Sequence, residues 1–309
     1  VKLKKIFHRL IKNNKGSAII FTALAMTVIV GFAALVTDVG LLYFNRTKLS
    51  NAADAAALAG ASELLNNVNN VETVARDYAV NRNGLNSDEI KNVEIFDNAT
   101  SVRVTTGRKV HFAFARVLGL DSSMVRASSA AKTAPISSAK DIVPLTVPDD
   151  AYENYEEGEK VTLKVGDWEE GEIGEGNFNA LALGDSQGAN YFRDLVKYGF
   201  NEFVSIGDEV DTEPGNMSGP TEQGVNYRID LEAPDKPIIT IPLFENDPDQ
   251  EGRTSVKIVG FASFQVDEVV GSGNNSKVKG EFVRRIEPAS KTSDGNAEDF
   301  GAYGLKLIE

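Results

Sequence analysis

The sequence predicts an α+β protein. A long N-terminal transmembrane helix continues into a small α/β head, and a β-rich, sandwich-like domain follows. Three observations carry this reading. A run of 22 residues, Gly16 to Thr37, holds no charge. Seven of the ten residues Ala52–Ala61 are alanine, and no proline occurs before Pro135, so helix can continue past the apolar run. After residue 141 the chain breaks into short β-branched or alternating segments separated by Gly, Asp, Asn and Pro turns.

Residues 1–15 form a basic tail: Lys2, Lys4, Lys5, Arg9, Lys12 and Lys15 face no acid. Residues 16–44 read as the span, since a helix rising 1.5 Å per residue needs ~20 residues to cross ~30 Å of hydrocarbon. Cleavable signal peptides have apolar cores of ~7–15 residues followed by a small-residue site. Within residues 1–50 the only A-x-A, Ala23-Leu24-Ala25, lies inside the apolar run, which favours a retained anchor. Basic flanks stay cytoplasmic, so the expected topology is single-pass, N-terminus inside and C-terminal domain outside the cytoplasm. Asp38 falls where the hydrocarbon should end. It reads as a solvated interfacial acid, with a specific partner on a neighbouring helix as the alternative, because a carboxylate in hydrocarbon is costly.

The helix should continue to about Asn66. Ala23, Thr27 and Gly31 inside the span, and Ala52, Ala56 and Gly60 beyond it, recur at i, i+4, i+8 and form two ridges of small residues. Such ridges admit another helix backbone closely, so each suits either intermolecular packing or the protein's own ectodomain. Residues 45–134 then make up the helix extension and small head. A second helix over 70–84 is expected, with Asn70 as cap, Val71, Val74 and Tyr78 as its apolar face and Gly84 as its end. Strands are expected at Val102–Val104 and Met124–Ala131, with a short helix at Phe112–Leu118 stopped by Gly119. Thr133–Lys140, rich in small and turn-forming residues, reads as a linker, placed at 135–140.

For 141–309 the candidate strands are Ile142–Val147, Val161–Val165, Phe178–Leu183, Pro237–Phe244, Ser255–Val266, Lys277–Ile286 and Ala302–Ile308. Gly271–Ser276 suits a hairpin loop, and Tyr191–Tyr198 before Gly199 suits a helix.

Charge divides along the same lines. Residues 1–140 hold 18 bases and 10 acids, and residues 141–309 hold 14 bases and 35 acids, so the net −13 sums two halves of opposite sign. An acidic total disfavours a nucleic-acid partner, which needs a basic face. A 42% hydrophobic, 25% charged composition is ordinary for folded protein. With no cysteine, disulfides, thiolate metal sites and cysteine nucleophiles are excluded. Two histidines remain, His8 in the basic tail and His111 beside a core helix, and neither has metal or triad partners. Ser137-Ser138-Ala139-Lys140 matches S-x-x-K without the companion motifs of that chemistry. Asp247–Gly252 looks like a calcium loop only superficially: the twelfth position is Ile258 where an EF-hand has Glu. The expectation is no enzyme and no cofactor. Trp168, Tyr152, Tyr155 and Tyr191 are the aromatics that a sugar site would use.

Lys15–Leu24, Asp38-Val39-Gly40-Leu41-Leu42-Tyr43 and Leu49-Ser50-Asn51-Ala52-Ala53-Asp54-Ala55-Ala56-Ala57-Leu58-Ala59 together resemble the TadE/TadG-like module of tight-adherence (Flp-type) pilus assembly proteins. Residues 110–131 resemble the short helix and strand that close that family's proximal ectodomain. Gly207-Asp208 and Asp211–Met217 are similar to an extension on Gram-positive members. The resemblance implies an anchoring or assembly factor of a Tad-type pilus or secretion apparatus. Its implied partners are the lipid bilayer, other Tad-type envelope proteins or further copies of itself. The alternative is a surface adhesin or carbohydrate-binding protein on a pilin-like anchor. Lys15-Gly16-Ser17 resembles a prepilin processing site at Gly16 and Ser17, but the fifth residue after Gly16 is Phe21 where prepilins carry Glu.

Overall fold

The computed structural model describes residues 14–153, 155–156, 158–164, 180–186, 188–213, 217–245, 255–271, 276–293, 295 and 297–308. Helix α1, Asn14–Glu63, runs 50 residues without a break, roughly 75 Å at 1.5 Å per residue. Its lower half is a row of uncovered apolar side chains: Ile19, Phe21, Ile29, Phe32 and Val36 are all more than half exposed. Its upper half is covered, with Leu49, Ala52, Ala56, Ala57 and Ala61 wholly buried.

A 3-10 turn, Val68–Asn70, leads into helix α2, Val71–Asp77, which ends in a π-helical turn, Tyr78–Arg82. The expected helix over 70–84 is therefore present in pieces, and Gly84 ends it at φ 64°. Two details differ from expectation. Asn67 caps the preceding turn, its side chain accepting from the Asn69 amide at 3.0 Å, while Asn70 makes no cap bond. The buried face is Val71, Ala75 and Ala79, and Tyr78 is exposed. The small residues win because α1 passes too close for a ring.

Strands β1 (Ile90–Phe96), β2 (Ser101–His111) and β3 (Ser122–Ala139) form antiparallel neighbours. Strand β1 was not legible in the sequence: its apolar residues, Ile90, Val93, Ile95 and Phe96, do not keep a period of two, and only Ile90 is buried. Between β2 and β3 a 3-10 turn, Ala115–Leu118, is stopped by Gly119 at φ 81°, as expected.

The expected linker is not one. All of Thr133–Lys140 but Lys140 is strand, the last stretch of the 18-residue β3, which ends at Ala139. Its small residues serve close packing rather than flexibility, and Ala134, Ile136 and Ala139 are buried.

Beyond it come β4 (Val147–Pro148), α3 (Asp150–Glu153), β5 (Val161–Lys164), α4 (Ala189–Tyr198), β6 (Val204–Ser205), β7 (Glu209–Asp211) and α5 (Ser218–Glu232). Then follow β8 (Ile238–Phe244), β9 (Ser255–Val270), β10 (Lys277–Val283), β11 (Arg285–Ile286), β12 (Ser290–Thr292) and β13 (Ala302–Leu307). One sheet orders β1-β2-β3-β13-β11, with β6 and β12 also on β3; the other orders β4-β8-β9-β10-β5, with β7 on β9.

The last expected strand is real but belongs elsewhere. β13 pairs antiparallel with β3 from Tyr303↔Pro135 to Leu307↔Ala131, so the chain returns to the head sheet. The expected single strand 277–286 divides between the sheets at Arg284, because β11 pairs with β13. Ile142–Val147 yields only bridges and the two-residue β4, and of Phe178–Leu183 residues 180 and 181 make single bridges while 178–179 lie outside the described residues. The hairpin expected around Gly271–Ser276 does join β9 to β10, its residues 272–275 lying outside the described set.

Three cores result. The head core joins Leu49, Ala56 and Ala75 to Val102, Val104 and Ala131. The distal core joins Phe192 and Val196 of α4 and Val225 of α5 to Ile239, Ile241, Phe264 and Val278. A third, with Ile136, Ile142, Phe200, Ile258 and Ala302, sits where the two sheets meet. A continuous apolar seam there is why no linker is needed.

Candidate functional site at the helix–head junction

The buried stripe of α1 descends on one helical face: Ala56, Ala52, Leu49, Asn45 and Asp38 are all buried. Positions 38, 45, 49, 52 and 56 follow the spacings of seven, four and three that keep residues on one side of a helix. At the top of the stripe the fit is close. A Cβ built on Gly60 would lie 3.1 Å from Val102 Cγ1 and 3.4 Å from Ala75 Cβ. The ridge Ala52, Ala56, Gly60 therefore packs on the protein's own head. The ridge Ala23, Thr27, Gly31 does not: those residues are exposed, nothing lies within 4 Å of a Cβ at Gly31, and Thr27 turns its hydroxyl onto Ala23 O at 2.9 Å.

Polar groups fix the junction at four levels. Thr133 Oγ1 donates to Ala61 O at 2.6 Å and Thr106 Oγ1 to Leu49 O at 3.2 Å. Lower, Arg108 Nη1 donates to Asn45 Oδ1 at 2.9 Å, while its Nη2 donates to Glu89 Oε2 at 2.7 Å and its Nε pairs with Oε1. Glu89 also accepts from the Asn86 amide at 2.9 Å. The Arg108 guanidinium holds the Glu89 carboxyl below the usual carboxylate range against the pull of burial.

The lowest level is Asp38, and it corrects the sequence reading. Asp38 is 5% exposed and is neither solvated nor paired with another helix. Oδ1 accepts from Ala113 N at 2.7 Å and Oδ2 from Ala115 N at 2.6 Å, with Phe114 N within 3.2 Å of both. A carboxylate presented to three successive amides acts as an N-cap delivered from another element, satisfying donors that the short turn 115–118 leaves open.

The remaining candidates fall outside this site. His111 is exposed rather than core-facing, with Nδ1 3.4 Å from Arg116 Nη2. Lys140 of the S-x-x-K match stacks over Phe203 at 4.7 Å, and Ser137 donates to backbone carbonyls of β12. Tyr152 and Tyr155 are half-buried and both pack edge-on against Phe282, each ring centroid 5.1 Å from that of Phe282. Tyr191 packs against the core between the sheets. Trp168, His8 and the Asp247–Gly252 loop lie outside the described residues, as does the side chain of Ser17; the backbone of Gly16 and Ser17 is helical. Among the described residues, no three His, Asp or Glu side chains are grouped to hold a metal ion.

The part of the chain that carries the stripe has a recognised pattern. Residues 16–63 match the Flp pilus-assembly TadE/G-like family model. The match ends where α1 ends, at Glu63, and includes Asp38, Asn45 and both ridges. No curated protein and no solved structure matches the chain. The TadE/G-like helix is also the one described helix long and apolar enough to cross a membrane. Together they point to a Tad pilus-associated membrane protein.

Proposed function

We propose that this chain is a non-enzymatic, single-pass membrane protein of a Tad/Flp-type pilus assembly or secretion apparatus. The observation that carries the reading is the division of one helix into two solvent classes. Above Asp38 its stripe is buried in the head; below, from Ile19 to Val36, large apolar side chains are uncovered on all sides. Uncovered apolar surface of that extent needs a non-aqueous surrounding. The basic tail keeps the N-terminus cytoplasmic and the acidic C-terminal region outside. Ala23, Thr27 and Gly31 supply the surface on which a helix of another envelope protein, or of a second copy, packs. The chemistry is assembly and anchoring, as is typical of Tad pilus-assembly proteins. Protease added to right-side-out membrane vesicles should digest the head while sparing the part of α1 below Asp38; full protection of the head would refute the topology.

A further inference from the structure

The β2–β3 loop is the most apolar exposed surface of the head. Val117 is 89% exposed, Leu120 58%, Met124 51% and Phe114 47%. Four uncovered large apolar side chains within eleven residues, three on the loop and Met124 at the start of β3, is uncommon on a solvated surface, and nothing in the head covers them. Their position decides what does. Asp38 binds the amides of Ala113, Phe114 and Ala115, so the loop backbone is fastened to α1 one residue above the end of the uncharged run. At that level the exposed side chains of α1 are Leu35, Val36 and Val39, within about one 5.4 Å turn of Asp38. The loop's apolar surface and the helix's apolar surface are thus neighbours. The exposed cations Lys109 and Arg116 flank it, as suits a surface meeting lipid phosphates. Gly119 at φ 81° and the Leu120 N–Ala115 O bond of 3.1 Å keep the turn compact enough to enter as a unit.

We propose that this loop inserts Phe114, Val117 and Leu120 into the interfacial zone of the same bilayer that α1 crosses. The head then sits on the membrane at two points instead of swinging on one helix. The buried carboxylate of Asp38 is what this arrangement requires. A loop in that zone loses water as a hydrogen-bonding partner, and three of its amides are satisfied by the helix instead. The inference rests on the membrane-spanning reading of α1, and the test separates the two.

The chain has no cysteine, so single-cysteine variants of the full chain carry one environment-sensitive fluorophore each. Val117→Cys and Leu120→Cys report the loop, Ile29→Cys the span and Val68→Cys the turn beyond the far end of α1. Each protein is reconstituted in vesicles of neutral and anionic phospholipid, with and without brominated acyl chains. The loop and span probes should both shift to the blue and lose emission to the brominated lipid. The Val68 probe should do neither and should yield to aqueous iodide. Quenching at Ile29 with water-like, iodide-sensitive emission at both loop positions overturns the loop insertion and leaves the span. Absence of lipid quenching at Ile29 overturns the span itself. A blue shift at the loop that ignores brominated lipid and fades on dilution of protein in the vesicles assigns the patch to a second copy and also overturns the proposal.

Discussion

The carboxylate of Asp38 accepts the amide of Ala115 at 2.6 Å across 77 residues of sequence, and with Ala113 and Phe114 it ties the head to the last turn of the apolar run. Asp38→Ala should therefore release the β2–β3 loop without unfolding the head, whose core lies higher on α1. Hydrogen exchange at amides 113–115 should speed up by an order of magnitude or more, and trypsin should cut sooner at Arg116. Asp38→Asn, keeping one acceptor oxygen, should fall between. Unchanged exchange at those amides in Asp38→Ala would show that the bonds are not what orders the loop.

Gly60 tests the upper contact. A leucine there has no space beside Val102 and Ala75. Gly60→Leu should destabilise the head by about 1–3 kcal/mol, the usual cost of overpacking, despite leucine's better helix propensity. Thermal melting of the detergent-solubilised protein reads it.

Arg108 and Glu89 give a pH signature. Arg108→Ala leaves the buried Glu89 carboxylate unpaired and should cost about 1–3 kcal/mol. The Glu89 carboxyl is held below its unfolded value, chiefly by the Arg108 hydrogen bond. Its contribution is thus complete above the unfolded value, near ~4.3, and is lost as pH falls through the lower folded value. Denaturant melts of Glu89→Gln should be flatter with pH below ~5 than those of the parent, since that titration is removed.

Gly31 has open space around it, so Gly31→Leu should leave the head's melting temperature unchanged. If the lower ridge is an assembly face, it should reduce helix–helix association in vesicles several-fold, read by energy transfer between labelled copies. A change in the melt with no change in association would place the ridge in the fold instead.

The apolar run of α1, the long helix, the Gly119 stop and most strand cores were legible because each rests on local signals: an uncharged run, alanine density, a left-handed glycine, period-two alternation. What failed was non-local. Thr133–Lys140 has linker composition, yet β13 returning from the far end of the sequence pairs with it, and no local pattern announces a partner some 170 residues away. Asp38 was read from its position in the chain, whereas its partners are backbone amides, which every residue type provides. Asn45 and Arg108 were missed for a similar reason. The available signal was that Asp38, Asn45 and Leu49 share one face of α1, the face that higher up carries Ala52, Ala56 and Gly60.

In the proposed topology α1 is split at Asp38 between bilayer and head, with the head outside. Membrane-impermeant maleimide applied to right-side-out vesicles carrying Val68→Cys or Lys5→Cys reads this directly. Val68→Cys should label without permeabilisation and Lys5→Cys only after it. The reverse pattern, or equal labelling of both before permeabilisation, would contradict this topology.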